Sequence, residues 1–122
     1  MDDNFDLNDN LEITDKFFEK EGTALLTVRG EINSVTVHGF EKKLLSVLGE
    51  GRLKVILDLR DATYISSAGW GILVSQIKRI RGLQGDLILT GMRVEVEEIF
   101  KLLDFHRLFK VFPDPQAALK SL

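Results

Sequence analysis

The chain has 122 residues, 44% of them apolar and 29% charged, with a formal net charge of −3 at pH 7. That length suits one compact domain and not two, and the apolar runs fall well short of the roughly 20 residues that span a bilayer, so direct membrane insertion is not expected. Lysine and arginine are interspersed with aspartate and glutamate, which argues against a nucleic-acid face, and the lack of cysteine removes disulfides and thiol chemistry and is compatible with a cytoplasmic protein.

Residues 1–10, MDDNFDLNDN, place four Asp and three Asn around Phe5 and Leu7, without the basic and apolar regions of a signal peptide. A flexible acidic tail is expected there, followed by one domain over residues 11–122. LEITDKFFEK and TALLTVRG carry β-branched and aromatic residues and flank a turn at Glu21-Gly22, so they read as an antiparallel hairpin. From Ser34 the period changes to that of a helix. Val37, Phe40, Leu44 and Leu48 form its apolar stripe, Glu41, Lys42, Lys43 and Ser46 face away, Asn33 or Ser34 caps it, and Gly49 and Gly51 close it.

KVILDL, Lys54 to Leu59, is an apolar run of the kind covered on both faces in a central strand. A second helix is expected from about Ala68 to Arg81, with Gly69, Trp70, Leu73, Ile77 and Ile80 inward and Gly71, Ser75, Lys78 and Arg79 outward. GDLILTG is a further strand. The helix after it, from about Val94 to Leu103, has Val96, Ile99, Phe100 and Leu103 as its stripe and Glu95, Glu97 and Glu98 as its solvated face. LFKVF is a last short strand, and DPQAALKSL opens a final helix with Asp114 as cap and Pro115 at its first position. The order β-β-α-β-α-β-α-β-α predicts an α/β fold: a mixed, mostly parallel central sheet with an N-terminal hairpin and about four helices.

The stretch YISSAGWG, Tyr64 to Gly71, joins the central strand to the second helix and is the main candidate for chemistry. Serine is a favoured helix cap, and that plain role accounts for the local pattern. A hydroxyl at a helix N-terminus also lies among free N–H groups that accept a phosphoryl dianion. A hydrolase elbow is not expected, because Tyr64 or Ile65 stands where G-x-S-x-G needs its first glycine. Gly69-Trp70-Gly71 lacks the rest of a dinucleotide fingerprint, and no P-loop lysine follows. His38 and His106 have no metal-ligand companions, so neither metal nor cofactor is expected. Trp70 reads equally as core or as an exposed anchor for a partner.

VRGEINSVTV, VILDLRDATYISSAGWGIL, GDLILTGMRVEVEEIFKLLDF and LFKVFPDPQAALKSL together resemble the anti-sigma factor antagonists, bacterial regulators of transcription built on the STAS domain; the likeness runs from about Leu11 to Leu122. In that family the central strand leads to a turn of the form Asp-Ser-Ser-Gly or a close variant, and the serine after the Asp is phosphorylated. Carried onto this chain, the Asp position holds Ser66, the phosphorylated position is Ser67, and Ala68 and Gly69 follow; the place of the acidic residue common in the family's hairpin-to-helix loop holds Asn33. Ser66 is the alternative acceptor.

The resemblance implies a partner switch without catalytic activity or cofactor of its own. Unphosphorylated, it binds a serine-kinase anti-sigma factor; phosphorylated at Ser67, it lets go until a serine phosphatase restores it. Its binding face is expected to comprise Asn33, Ser34, Ser66, Ser67, Ala68, Gly69, Trp70 and Gly71, on a monomer or weak homodimer. The main rival keeps the fold without the switch, as a STAS adaptor subunit of a lipid transporter or signalling scaffold. A third reading is a domain that binds nucleotide or another small ligand.

Overall fold

A computed structural model of the protein describes residues 11–18 and 20–122; the acidic tail expected over 1–10 lies outside them. Two antiparallel strands, β1 (Leu11–Phe18) and β2 (Thr23–Ile32), are joined by a 3₁₀ turn over Lys20–Gly22, as the hairpin pattern predicts. Then come α1 (Val37–Gly49), β3 (Lys54–Ile65), α2 (Ser67–Gly82), β4 (Asp86–Thr90), α3 (Val94–Leu102), a 3₁₀ turn (Phe105–Arg107), β5 (Lys110–Phe112) and α4 (Pro115–Lys120). The sheet runs β1-β2-β3-β4-β5, antiparallel in its first pair and parallel in the rest. The expected mixed sheet, order of elements and four helices are all present.

Alternation along the strands divides the core. Ile13, Leu26, Val55, Leu57, Leu87 and Leu89 join the inward residues of α1, α2 and α3 in one large cluster. Ile56 and Ile88 point to the other face, where α4 covers them with Ala118. Each central strand is therefore apolar at successive positions, as burial on both faces requires.

Three expectations are corrected. First, β3 runs twelve residues to Ile65, well beyond Leu59, because β2 accompanies it to the pair Ile32↔Ile65 through register shifts at Thr27/Arg29 and Gly30/Glu31. Second, α1 starts at Val37 and not at Ser34, and Lys43 does not face away: its Nζ lies 2.6 Å from Asp15 Oδ2 with both side chains nearly buried, tying α1 to β1. Third, α3 buries only Val96 and Phe100 of its expected stripe, leaving Ile99 and Leu103 in the solvent-facing set beside Leu102.

Candidate functional site

The long β3 delivers its last residue, Ile65, to the same end of the sheet as Ile32 of β2, and the Ser66 N–H donates to the Ile32 carbonyl at 2.8 Å. That bond brings the loop holding Asn33 and Ser34 beside the Ser66-Ser67 turn, two stretches that are far apart in sequence. Each stretch is braced from within. The Asn33 Oδ1 accepts from the N–H groups of Val35 (2.9 Å) and Thr36 (3.0 Å). Buried Thr36 receives the Asn33 N–H on its hydroxyl oxygen (2.9 Å) and donates to the Glu31 carbonyl (2.7 Å). Asn33 thus closes a turn ahead of the helix, a role its short amide suits, while Ser34 and Val35 stay exposed. Neither Asn33 nor Ser34 is the α1 cap residue; Thr36 is.

The two serines have different environments. Ser66 is the N-cap of α2, partly buried, with its Oγ accepting the Gly69 N–H at 3.2 Å. Ser67 is the first helical residue and is exposed, with no side-chain hydrogen bond among the described residues. With the Gly69 N–H bound to the cap and the Trp70 N–H to the Ser66 carbonyl, the N–H groups of Ser67 and Ala68 remain among the free donors that every helix start presents. Positive potential from the helix dipole adds to them, so the exposed hydroxyl stands where an added dianion is stabilised.

The two glycines differ as well. Gly69 is buried, and a Cβ there would lie 2.8 Å from Ile32 Cγ2 and 3.0 Å from Ile65 Cγ2, so α2 can sit this close to the sheet only without a side chain at that point. Gly71 is exposed, and a Cβ would meet nothing within 4 Å. Inside a helix it costs about 1 kcal/mol relative to alanine, with no packing gain among the described residues.

Trp70 is not the exposed anchor that its position allows. It is 3% exposed, and its ring centroid lies 5.2 Å from that of Phe105 and 6.0 Å from that of Phe100. Its Nε1–H has no partner among the described residues. Of the residues expected at the binding face, Ser34, Ser67, Ala68 and Gly71 are exposed, Asn33 and Ser66 are partly covered, and Gly69 and Trp70 support the surface from beneath.

Several surface residues here escaped the local pattern. Tyr64 is 51% exposed and precedes the turn, and Glu31 accepts the Asn33 side-chain amide at 3.1 Å. From Ser67 an open groove of about 580 Å³ runs along α2 past Gly71 and Val74 to Lys78, with Leu103 and Phe105 on its far wall. The spacing Ser67, Gly71, Val74, Lys78 is the one signal in the sequence that places these on one helix face. Among the described residues no three His, Asp or Glu side chains cluster as a metal site requires, and no helix is long and apolar enough to cross a membrane. His38 stands exposed on α1, and His106 meets Asp104 at 3.2 Å.

Residues 17–118 match the family model described as STAS domain. BtrV of Bordetella bronchiseptica, named as an anti-sigma factor antagonist, is 32% identical over 98 residues that cover 80% of this chain and 84% of BtrV. Among solved structures, one from Thermotoga maritima described as an anti-sigma factor antagonist superposes with a TM-score of 0.83 at 24% identity, covering 89% of this chain and 92% of its own. The Bacillus anti-sigma factor antagonist SpoIIAA shares the fold at 14% identity. Its unphosphorylated form has a TM-score of 0.73, covering 90% of this chain and 97% of SpoIIAA, and its phosphorylated form 0.69, covering 90% and 99%.

Proposed function

This chain belongs to the STAS-domain family of anti-sigma factor antagonists, and from that premise we propose that it is a cytoplasmic partner switch thrown by phosphorylation of Ser67. Unphosphorylated, residues 11–122 bind a serine-kinase anti-sigma factor and so release the sigma factor that it holds. The contact is made by Ser34, Val35, Ser67, Ala68 and Gly71 at the open end of the sheet. The kinase partner transfers the γ-phosphoryl group of its own ATP to the Ser67 Oγ, with loss of the hydroxyl proton, and a serine phosphatase removes it by hydrolysis.

The observation that carries this reading is the division of labour between the serines. Ser66 is committed to the Gly69 N–H as the helix cap, whereas the Ser67 hydroxyl is exposed and unbonded on the helix start. A phosphoryl group brings about −1.5 to −2 charges at pH 7. On Ser67 it is held by the N–H groups of the first turn, so the domain tolerates it; a partner surface built to cover a neutral hydroxyl must instead desolvate a dianion, and it dissociates.

Intact mass and peptide mapping test the assignment, after incubation with ATP and host lysate for wild type, Ser66→Ala and Ser67→Ala. One phosphoryl group lost only in Ser67→Ala is the expected result. Loss only in Ser66→Ala moves the acceptor by one residue. No phosphorylation in any sample, with the kinase active in that lysate, favours a STAS adaptor that binds without switching.

A further inference from the structure

Gly71 has no packing role among the described residues: it is exposed, within a helix, and a Cβ there would meet nothing within 4 Å. It also forms the floor of the groove whose walls are Val74, Leu103 and Phe105. Leu103 is 49% exposed, and with Val74 and Phe105 it makes an apolar strip along the groove. At the far end the charge is positive and unmatched. Lys78 and its neighbour Arg79 form no ion pair among the described residues, whereas Arg81 is satisfied by Asp86 at 3.2 Å. The line Ser67, Gly71, Val74, Lys78 extends about 16 Å along α2, roughly three helical turns, a shape that fits a helix lying in a groove better than a single side chain in a pocket.

We propose that this groove is the docking site for a helix of the anti-sigma factor, with an apolar face that approaches most closely over Gly71 and a carboxylate that meets Lys78. The inference rests on the partner-switch reading and adds to it the part of the partner that is recognised. Absence of a side chain at Gly71 lets the two backbones come near, as small residues do wherever helices cross closely. The apolar walls exclude water, and the acidic residue matches Lys78, the only charged side chain among the described residues that line the groove. A phosphoryl group on Ser67 stands at the N-terminal end of the same strip, so it lies against the docked helix as well as against the loop beside Asn33.

Titration calorimetry with the host's recombinant kinase-like anti-sigma factors tests this, using the full chain as wild type, Gly71→Ala, Gly71→Leu and Lys78→Glu. Gly49→Ala is the control, since Gly49 is also helical, exposed and open around its Cα but ends α1. The expected result is that Gly71→Ala melts about 4 °C higher yet binds about tenfold more weakly. Gly71→Leu is weaker still, Lys78→Glu loses about tenfold, and Gly49→Ala binds as wild type does. Binding of both Gly71 variants within about twofold of wild type overturns the groove and leaves the Ser67 switch standing. If none of these anti-sigma factors binds the wild-type chain, the partner reading falls, and this inference with it. A dimer in sedimentation equilibrium that Gly71→Leu splits, with anti-sigma factor binding unchanged, overturns the proposal in favour of a second copy in the groove.

Discussion

Residue by residue, YISSAGWG divides into positions the fold needs and positions it leaves to the surface. Ser66 caps α2, so Ser66→Ala should lower the unfolding free energy in urea by about 1 kcal/mol, whereas Ser67→Ala, which removes an exposed hydroxyl without a bond, should change it by less than about 0.5 kcal/mol. Adjacent serines with unequal stability effects would separate the cap from the modification site without reference to any partner. The same logic applies to the glycines. Gly69→Ala drives a methyl group into Ile32 and Ile65 and should destabilise by about 1–3 kcal/mol in the same titration. Serine capping was legible from sequence because it depends on four consecutive residues. Helical period likewise put Gly69 inward and Gly71 outward, but that Gly69 tolerates no side chain was not legible, because Ile32 approaches it from a strand nearly forty residues away.

Among the elements, the hairpin, the strand GDLILTG and the final helix are nearly as their patterns predict, since alternation, helical period and the Asp114-Pro115 start are local properties. Asp114 accepts the Ala117 N–H at 2.8 Å, the cap that DPQA announces. The departures occur where another element intervenes. The α1 start is set by Asn33 and Thr36 bonding back toward Glu31, which uses up the residues that a simple cap would have employed. Lys43 lies outside the apolar stripe, yet Asp15 of β1 draws it in. Lys43→Met removes the cation beside a carboxylate that is only 10% exposed, and should cost about 3 kcal/mol by thermal or urea unfolding. Adding Asp15→Leu should recover much of that loss, because an apolar pair replaces the ionic one without a stranded charge.

For the whole molecule, the arrangement separates a buried interior from the exposed edge that carries the proposed switch. The core cluster fills the space between the sheet and α1, α2 and α3, while Ser67 faces solvent at the rim. Phosphorylation should therefore leave the fold intact: amide chemical-shift changes in a two-dimensional NMR spectrum should concentrate in residues 31–36 and 64–71 and along the α2 groove, with β4 and α4 nearly unchanged. Large shifts throughout the sheet would show that the phosphate acts by repacking the domain. By itself the sequence determined the order of elements, the mixed and mostly parallel sheet, the identity of most core residues and the turn that holds the candidate switch, because each follows from short-range period, capping and composition. Only the tertiary structure decided that Ser66 bonds to Ile32 and so sets the serine turn beside the loop of Asn33 and Ser34, that Trp70 is packed among Phe100 and Phe105, and that Leu103 and Phe105 face Gly71 across a groove. The physical reason is the same in each case: these contacts join residues that chain closure and sheet pairing bring together, and no local pattern records which distant side chain will arrive.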